Sequence, residues 1–212
     1  MRRLVAKDMV YQRSGALECS LKQNFEAMLH HPHDSPFVSK ITMRLHLIRH
    51  PKPMINAGVC YGRHDCQAED VLSVAAALLR ELPSGLPVWS SPLRRCRALA
   101  EQLHARPIID ERLAEMDFGR WEGRRWDDIP RAELDAWAAD VAGYAPPDGE
   151  SPRQLQQRAL GLVDSLAVPE AVIVTHAGVI RTLLAHWQGL PPERWTELNF
   201  AYGSCTVIDI SR

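Results

Sequence analysis

Two short, largely apolar runs, Leu45–Ile48 and Ala171–Val174, each lead within two residues to a histidine. The first continues as Arg49-His50 and stops at Pro51; the second continues as Thr175-His176-Ala177-Gly178. Runs this short and apolar read as strands buried on both faces of a sheet, and Ala171–Val174 is the stronger because it is mostly β-branched and uncharged. In open α/β sheets the chemistry gathers at the carboxyl ends of the strands. If both strands are central and parallel, His50, Arg49 and His176 leave the sheet on the same edge.

The intervening sequence alternates in the way such a sheet requires. Helical spacing runs through Glu69–Leu82 and ends at Pro83-Ser84-Gly85. Leu86–Ser90 reads as a second strand. Ser91-Pro92 then reads as a helix start, a capping hydroxyl followed by a proline suited to the first turn, and the helix continues over Leu93–His104. Pro107–Ile109 is a short strand. Asp110–Trp126 has no simple period and is dense in acids and aromatics. Trp126–Asp140 reads as a helix with Trp137 on its apolar face. Pro152–Ala167 is amphipathic, with Leu155, Ala159, Leu162 and Leu166 on one stripe. Val179–Trp187 reads as a helix and Cys205–Ile210, which alternates, as a last strand. About five strands and five or six helices in this order predict an α/β fold, a mostly parallel central sheet with helices on both faces.

The first 42 residues lack these periods and lack the apolar stretch of a signal peptide. They read as a disordered extension or a wrongly assigned start, with the folded domain spanning 43–212. Their His30-His31-Pro32-His33 cluster reads as a solvated tail with, at most, weak metal affinity. A hydrophobic share of 46% is ample for a core, and a net charge of −1 gives no pull towards nucleic acid or an anionic membrane. The five cysteines are odd in number and form no Cys-x-x-Cys pair, which fits reduced thiols in the cytoplasm. No run of about 20 apolar residues is present to span a bilayer.

Two histidines, several arginines and a choice of carboxylates suit phosphoryl transfer. A phosphoryl group is dianionic and takes bidentate arginine donors. A neutral imidazole attacks phosphorus and forms a covalent phosphoenzyme. A second imidazole and the arginines stabilise charge on the equatorial oxygens. A carboxylic acid is still needed to protonate the leaving oxygen and later to activate water. The sequence offers no compact metal signature.

Four blocks then carry a resemblance to the histidine phosphatase superfamily, the phosphoglycerate mutase-like family. They are Leu47-Ile48-Arg49-His50 with Asn56 and Gly62 downstream, Ser90-Ser91-Pro92-Leu93-Arg94-Arg95-Cys96, Leu113 to Gly123, and Val174-Thr175-His176-Ala177-Gly178-Val179-Ile180-Arg181. The resemblance implies a three-layer phosphoglycerate mutase-like fold and metal-free, cofactor-free chemistry on a small phosphorylated metabolite. It implies His50 as the phosphorylated residue, Glu115 as proton donor, and His176 as a second catalytic and phosphate-binding histidine. Arg49, Asn56 and Arg95 would line the phosphate pocket, with Arg94 a solvated helix residue. Asp117 and Glu122 compete with Glu115 by composition alone.

Two positions depart from the family pattern. Pro51 stands where glycine is usual, and Pro53 where a hydroxyl residue would donate to phosphate. The proline form, with Gly58-Val59-Cys60-Tyr61-Gly62, Trp121-Glu122-Gly123 and Pro147-Asp148-Gly149-Glu150-Ser151, resembles the alpha-ribazole phosphatase branch of cobalamin biosynthesis. Broad-specificity phosphatases share the latter two features. A phosphoglycerate mutase and a non-catalytic phosphate-binding protein on the same fold remain the alternatives. Met54, Val59, Tyr61, Arg124 and Trp126 are the loop residues expected to meet the leaving group. Oligomeric state is not readable.

Overall fold

The computed structural model describes residues 42–211. The 1–42 extension, apart from Thr42, and the histidine cluster within it lie outside the described residues. Five strands, β1 (Thr42–Arg49), β2 (Val88–Ser90), β3 (Ile108–Ile109), β4 (Glu170–Thr175) and β5 (Cys205–Ser211), form one sheet in the order β3-β2-β4-β1-β5. β1 and β4 are central and run parallel, as do β4 with β2 and β2 with β3, while β5 closes the edge antiparallel to β1.

Period-two alternation sorts the core onto two faces. On one face Leu45, Leu47, Ala171 and Ile173 pack with α4 (Pro152–Ser165) and α5 (Ala177–Gln188) through Leu155, Leu162, Val179 and Leu183. On the other, Ile48, Val172, Val174 and Val88 pack with α1 (Val71–Glu81) and α2 (Arg94–Leu103) through Ala75, Leu78, Cys96 and Leu99. The expected three layers result. Among the described residues no helix is long and apolar enough to cross a membrane, and Cys60, Cys66, Cys96 and Cys205 are free thiols.

Two helix expectations are corrected. Ser91-Pro92 does not open α2, which starts at Arg94 with Leu93 at its cap. The Ser91 hydroxyl accepts from the Leu93 amide at 3.3 Å and lies 2.7 Å from His176 Nε2, so it also serves the neighbouring strand end. The predicted Trp126–Asp140 helix is two pieces, a 3₁₀ turn at Trp126–Asp128 and α3 at Arg131–Ala139. Pro130 separates them, because it has no amide to donate and its ring would clash with a preceding turn.

The aperiodic 110–126 stretch is held by a satellite core. Trp121 is fully buried against Trp126, Trp137 and Tyr144, and Phe118 joins the same aromatic group. Trp126 therefore serves packing, its ring stacked on Trp137 at 5.9 Å. Gly62 has a left-handed φ of 33°, and a Cβ there would meet the Met116 carbonyl at 2.6 Å. Only glycine lets the loop after β1 lie against this stretch.

Candidate active site

The parallel register places Arg49 opposite Thr175, so the next residue on each strand, His50 and His176, leaves the sheet side by side. Their ring centroids lie 5.0 Å apart in an edge-to-face arrangement, and both side chains are almost wholly buried. His50 Nδ1 lies 2.6 Å from the Pro51 carbonyl oxygen. A carbonyl only accepts, so Nδ1 carries the proton and Nε2 keeps its lone pair. Burial, with the nearby Arg95 and Arg49 charges, pushes the His50 imidazole down to about 3, against the opposing effect of the Pro51 contact. Burial and the charge of Arg95 likewise hold His176 well below the usual histidine range. Both rings are neutral at pH 7. His176 Nε2 meets the Ser91 hydroxyl, and the Cys96 sulfur lies 3.4 Å from the same nitrogen.

Two arginines converge on the pair. Arg95 projects from the first turn of α2 and is fully buried, donating to the carbonyls of Gly62 (2.6 Å) and His64 (2.8 Å). Arg94 is exposed and pairs with Asp65 at 3.3 Å. Arg49 donates to the Phe200 carbonyl at 2.5 Å and lies over the Tyr202 ring, its Cζ 3.7 Å from the centroid. The Nε atoms of both Arg49 and Arg95 are buried without a partner among the described residues. An orphaned buried N–H is costly, and a bound oxyanion would satisfy it.

Glu115 arrives on the 110–126 stretch. The Thr175 hydroxyl donates to the Leu113 carbonyl at 2.8 Å and fastens this stretch to the end of β4. The Glu115 carboxylate accepts from the Gly178 amide at 3.3 Å, in the first turn of α5, and from its neighbour Met116 at 2.9 Å. A Cβ on Gly178 would overlap Glu115 Oε1, so the missing side chain is what admits the carboxylate beside His176. The competing acids are otherwise engaged. Glu122 accepts from the amides of Arg63 and Phe118, while Asp117 accepts from Gly119 and faces Arg63 at 3.6 Å.

Behind the acid lies an ion-pair network that the sequence did not reveal. Arg158 on α4 grips both oxygens of Glu150, at 2.6 and 3.0 Å, and donates to the backbone carbonyls of Arg112 (2.8 Å) and Glu115 (3.0 Å). Burial opposes ionisation of Glu150, yet the Arg158 partner holds its carboxyl below the usual carboxylate range. Ser91, Tyr202, Glu150 and Arg158 are the residues missed. Ser91 and Glu150 lie within motifs already singled out, and that was the available signal. Asn56 is exposed on the turn after β1, where its carbonyl accepts from the Val59 amide at 3.4 Å. No hydrogen bond joins its side chain to the cluster among the described residues. Nor does any group of three or more His, Cys, Asp or Glu among them stand where it could hold a metal ion.

Comparison with known proteins bears on the family and the fold. The sequence model of the histidine phosphatase superfamily (branch 1) matches residues 45–212. The adenosylcobalamin/alpha-ribazole phosphatase of Escherichia coli is 28% identical over 187 residues, 80% of this chain and 91% of that protein. The native structure of mycobacterial glucosyl-3-phosphoglycerate phosphatase superposes with a TM-score of 0.69 at 28% identity, covering 79% of this chain and 90% of that one. A phosphoglycerate mutase from Thermus thermophilus gives 0.66 at 31% identity, with coverage of 78% and 92%. The chain belongs to the histidine phosphatase superfamily, and the protein is a phosphoric monoester hydrolase.

Proposed function

We propose that the protein cleaves a small phosphomonoester in two steps through a phosphohistidine at His50, without a metal ion or organic cofactor, and that alpha-ribazole 5′-phosphate is its substrate. One observation carries the mechanism: the 2.6 Å contact from His50 Nδ1 to the Pro51 carbonyl leaves a neutral Nε2 lone pair between two arginines. In the first step Nε2 attacks phosphorus, the ester P–O bond breaks, and the departing alkoxide takes its proton from the Glu115 carboxyl. In the second, the Glu115 carboxylate takes a proton from water, whose oxygen attacks phosphorus as the N–P bond breaks. Arg49, Arg95 and His176 hold the phosphoryl oxygens throughout.

Pro51 gives His50 its acceptor without needing glycine's freedom, because a proline carbonyl accepts as well as any other. The proline form of this block and the similarity to the Escherichia coli enzyme named for alpha-ribazole support the substrate assignment. The likeness to a phosphoglycerate mutase favours a second reading. A mutase must shield its phosphohistidine from water and return the phosphoryl group to its substrate, which a hydrolase does not. We place the reaction in the cytoplasm, with no nucleic acid or membrane partner. The test is His50→Ala assayed on p-nitrophenyl phosphate, beside a panel of alpha-ribazole phosphate, phosphoserine and primed 3-phosphoglycerate. Hydrolysis should vanish in the variant and alpha-ribazole phosphate should lead the panel. An unchanged rate in the variant removes the mechanism, and phosphoryl return to 3-phosphoglycerate removes the phosphatase reading.

A further inference from the structure

Each phosphate arginine is covered by a tyrosine. Tyr202 lies against Arg49, with 3.7 Å between Cζ and the ring centroid, and Tyr61 lies over Arg95 at 5.2 Å. The two phenol oxygens meet at 3.4 Å, so the rings bridge from one guanidinium to the other. Tyr202 also stands beside the nucleophile, its ring centroid 5.7 Å from that of His50. It is 42% exposed, which is high for an aromatic side chain in contact with two site residues. The loop that carries it is fixed. Arg181 donates to the Leu198 carbonyl at 3.2 Å, Arg49 donates to Phe200, and the Gly203 amide donates to the carbonyls of Arg49 (3.1 Å) and His50 (3.2 Å).

We infer that Tyr61 and Tyr202 form the leaving-group site, and that it takes the uncharged, ring-bearing alcohol portion of a phosphomonoester. This deepens the proposed phosphatase reading and rests on it. An ester whose phosphorus sits between Arg49 and Arg95 at His50 has its alcohol portion beside these phenols. Aromatic faces gain from contact with another ring, and the paired hydroxyls can donate to or accept from a neutral ring substituent. The next cation along the loop, Arg63, is turned to Glu150 at 3.3 Å and Asp117 at 3.6 Å, so it is not spare for a substrate carboxylate. Trp126, the other aromatic among the loop residues named from sequence and one that core packing explains equally well there, is committed to the satellite core.

The test compares benzyl phosphate with glycerol 3-phosphate, two primary alkyl esters that differ in whether the alcohol carries a ring. The full chain and the variants Tyr202→Ala, Tyr202→Phe and Tyr61→Phe are assayed for kcat/KM, with inhibition by inorganic phosphate as the measure of the arginine pocket itself. Tyr202→Ala should lose about 2- to 12-fold more on benzyl phosphate than on glycerol 3-phosphate, the worth of one aromatic contact. Tyr202→Phe should keep the preference for the ring, which also excludes general misfolding as its cause. Equal losses on both esters, in step with weaker phosphate inhibition, would make Tyr202 a support for Arg49 only and overturn the inference while leaving the phosphatase reading intact. A wild-type chain inert towards both esters would overturn the two together.

Discussion

Gly178→Ala separates stability from catalysis at one atom. Residue 178 lies in the first turn of α5, and its φ is not left-handed, so alanine fits the backbone. A helix gains about 1 kcal/mol from this exchange in the absence of clashes. The added Cβ would lie 3.1 Å from Glu115 Cδ and closer still to Oε1, with Leu155 Cδ2 at 3.4 Å. The obstructing atom is the end of a flexible side chain, so relief comes from a retreat of the carboxylate by about 1 Å towards ordinary contact distance. The 3.3 Å hydrogen bond from the Gly178 amide goes with it. The unfolding free energy should therefore stay within about 1 kcal/mol of wild type. A displacement of about 1 Å in a catalytic group costs on the order of 10²-fold, inside the range of general acid catalysis. The loss should appear in kcat/KM for alkyl phosphates, whose alkoxide needs a proton. It should be much smaller for p-nitrophenyl phosphate, whose leaving group is stable as an anion, while kcat for that ester falls because water attack still needs the base. Denaturant titration and steady-state kinetics on the two ester classes check this. Equal losses in kcat/KM on both classes, or no loss in a folded variant, would refute Glu115 as the proton donor.

The remaining predictions concern charge. His50 is held at about 3 in the fold against 6.5 for a free histidine, so on acidification the unfolded chain takes up a proton that the folded chain refuses. Stability should fall as pH drops from 6.5, by about 2 kcal/mol at pH 5 from this residue alone, and the slope should continue towards pH 3. His176 adds in the same direction. Urea titrations between pH 7 and 5 should show a shallower slope in His50→Asn, and an unchanged slope contradicts the neutral buried imidazole. Glu150 acts lower on the scale: its stabilisation is present above the ordinary carboxylate range and is lost as pH falls through it. Arg158→Met leaves Glu150 to Arg63 (3.3 Å) and the Asp117 amide (3.0 Å) and frees the carbonyls of Arg112 and Glu115, so it should cost about 1–3 kcal/mol by thermal or chemical unfolding. Adding Glu150→Gln should recover part of that loss, and a single variant as stable as wild type would show the network to be dispensable.

The sequence by itself determined the layers, the two histidine-bearing strand ends and the identity of the buried arginine. The layers and strand ends follow from the short apolar runs Leu45–Ile48 and Ala171–Val174, which must be covered on both faces, whereas the choice of Arg95 rested on the family resemblance. Arg95 was separated from Arg94 by its place in a motif, and the fold buries the one and exposes the other. Helix boundaries were legible less well, because Ser91 had two possible uses for one hydroxyl and Pro130 broke a pattern that periodicity carried through. Only the tertiary structure decided how the Glu115 carboxylate is held and which tyrosines meet beside the two histidines. Glu115 is fixed by Thr175, Gly178 and Arg158, between 43 and 63 residues away in sequence. Tyr202 reaches Tyr61 across 141 residues. Such pairings leave no period in the chain, since they arise from loops laid together at one sheet edge, and side-chain orientation there is set by contacts that form only when the strands have already aligned.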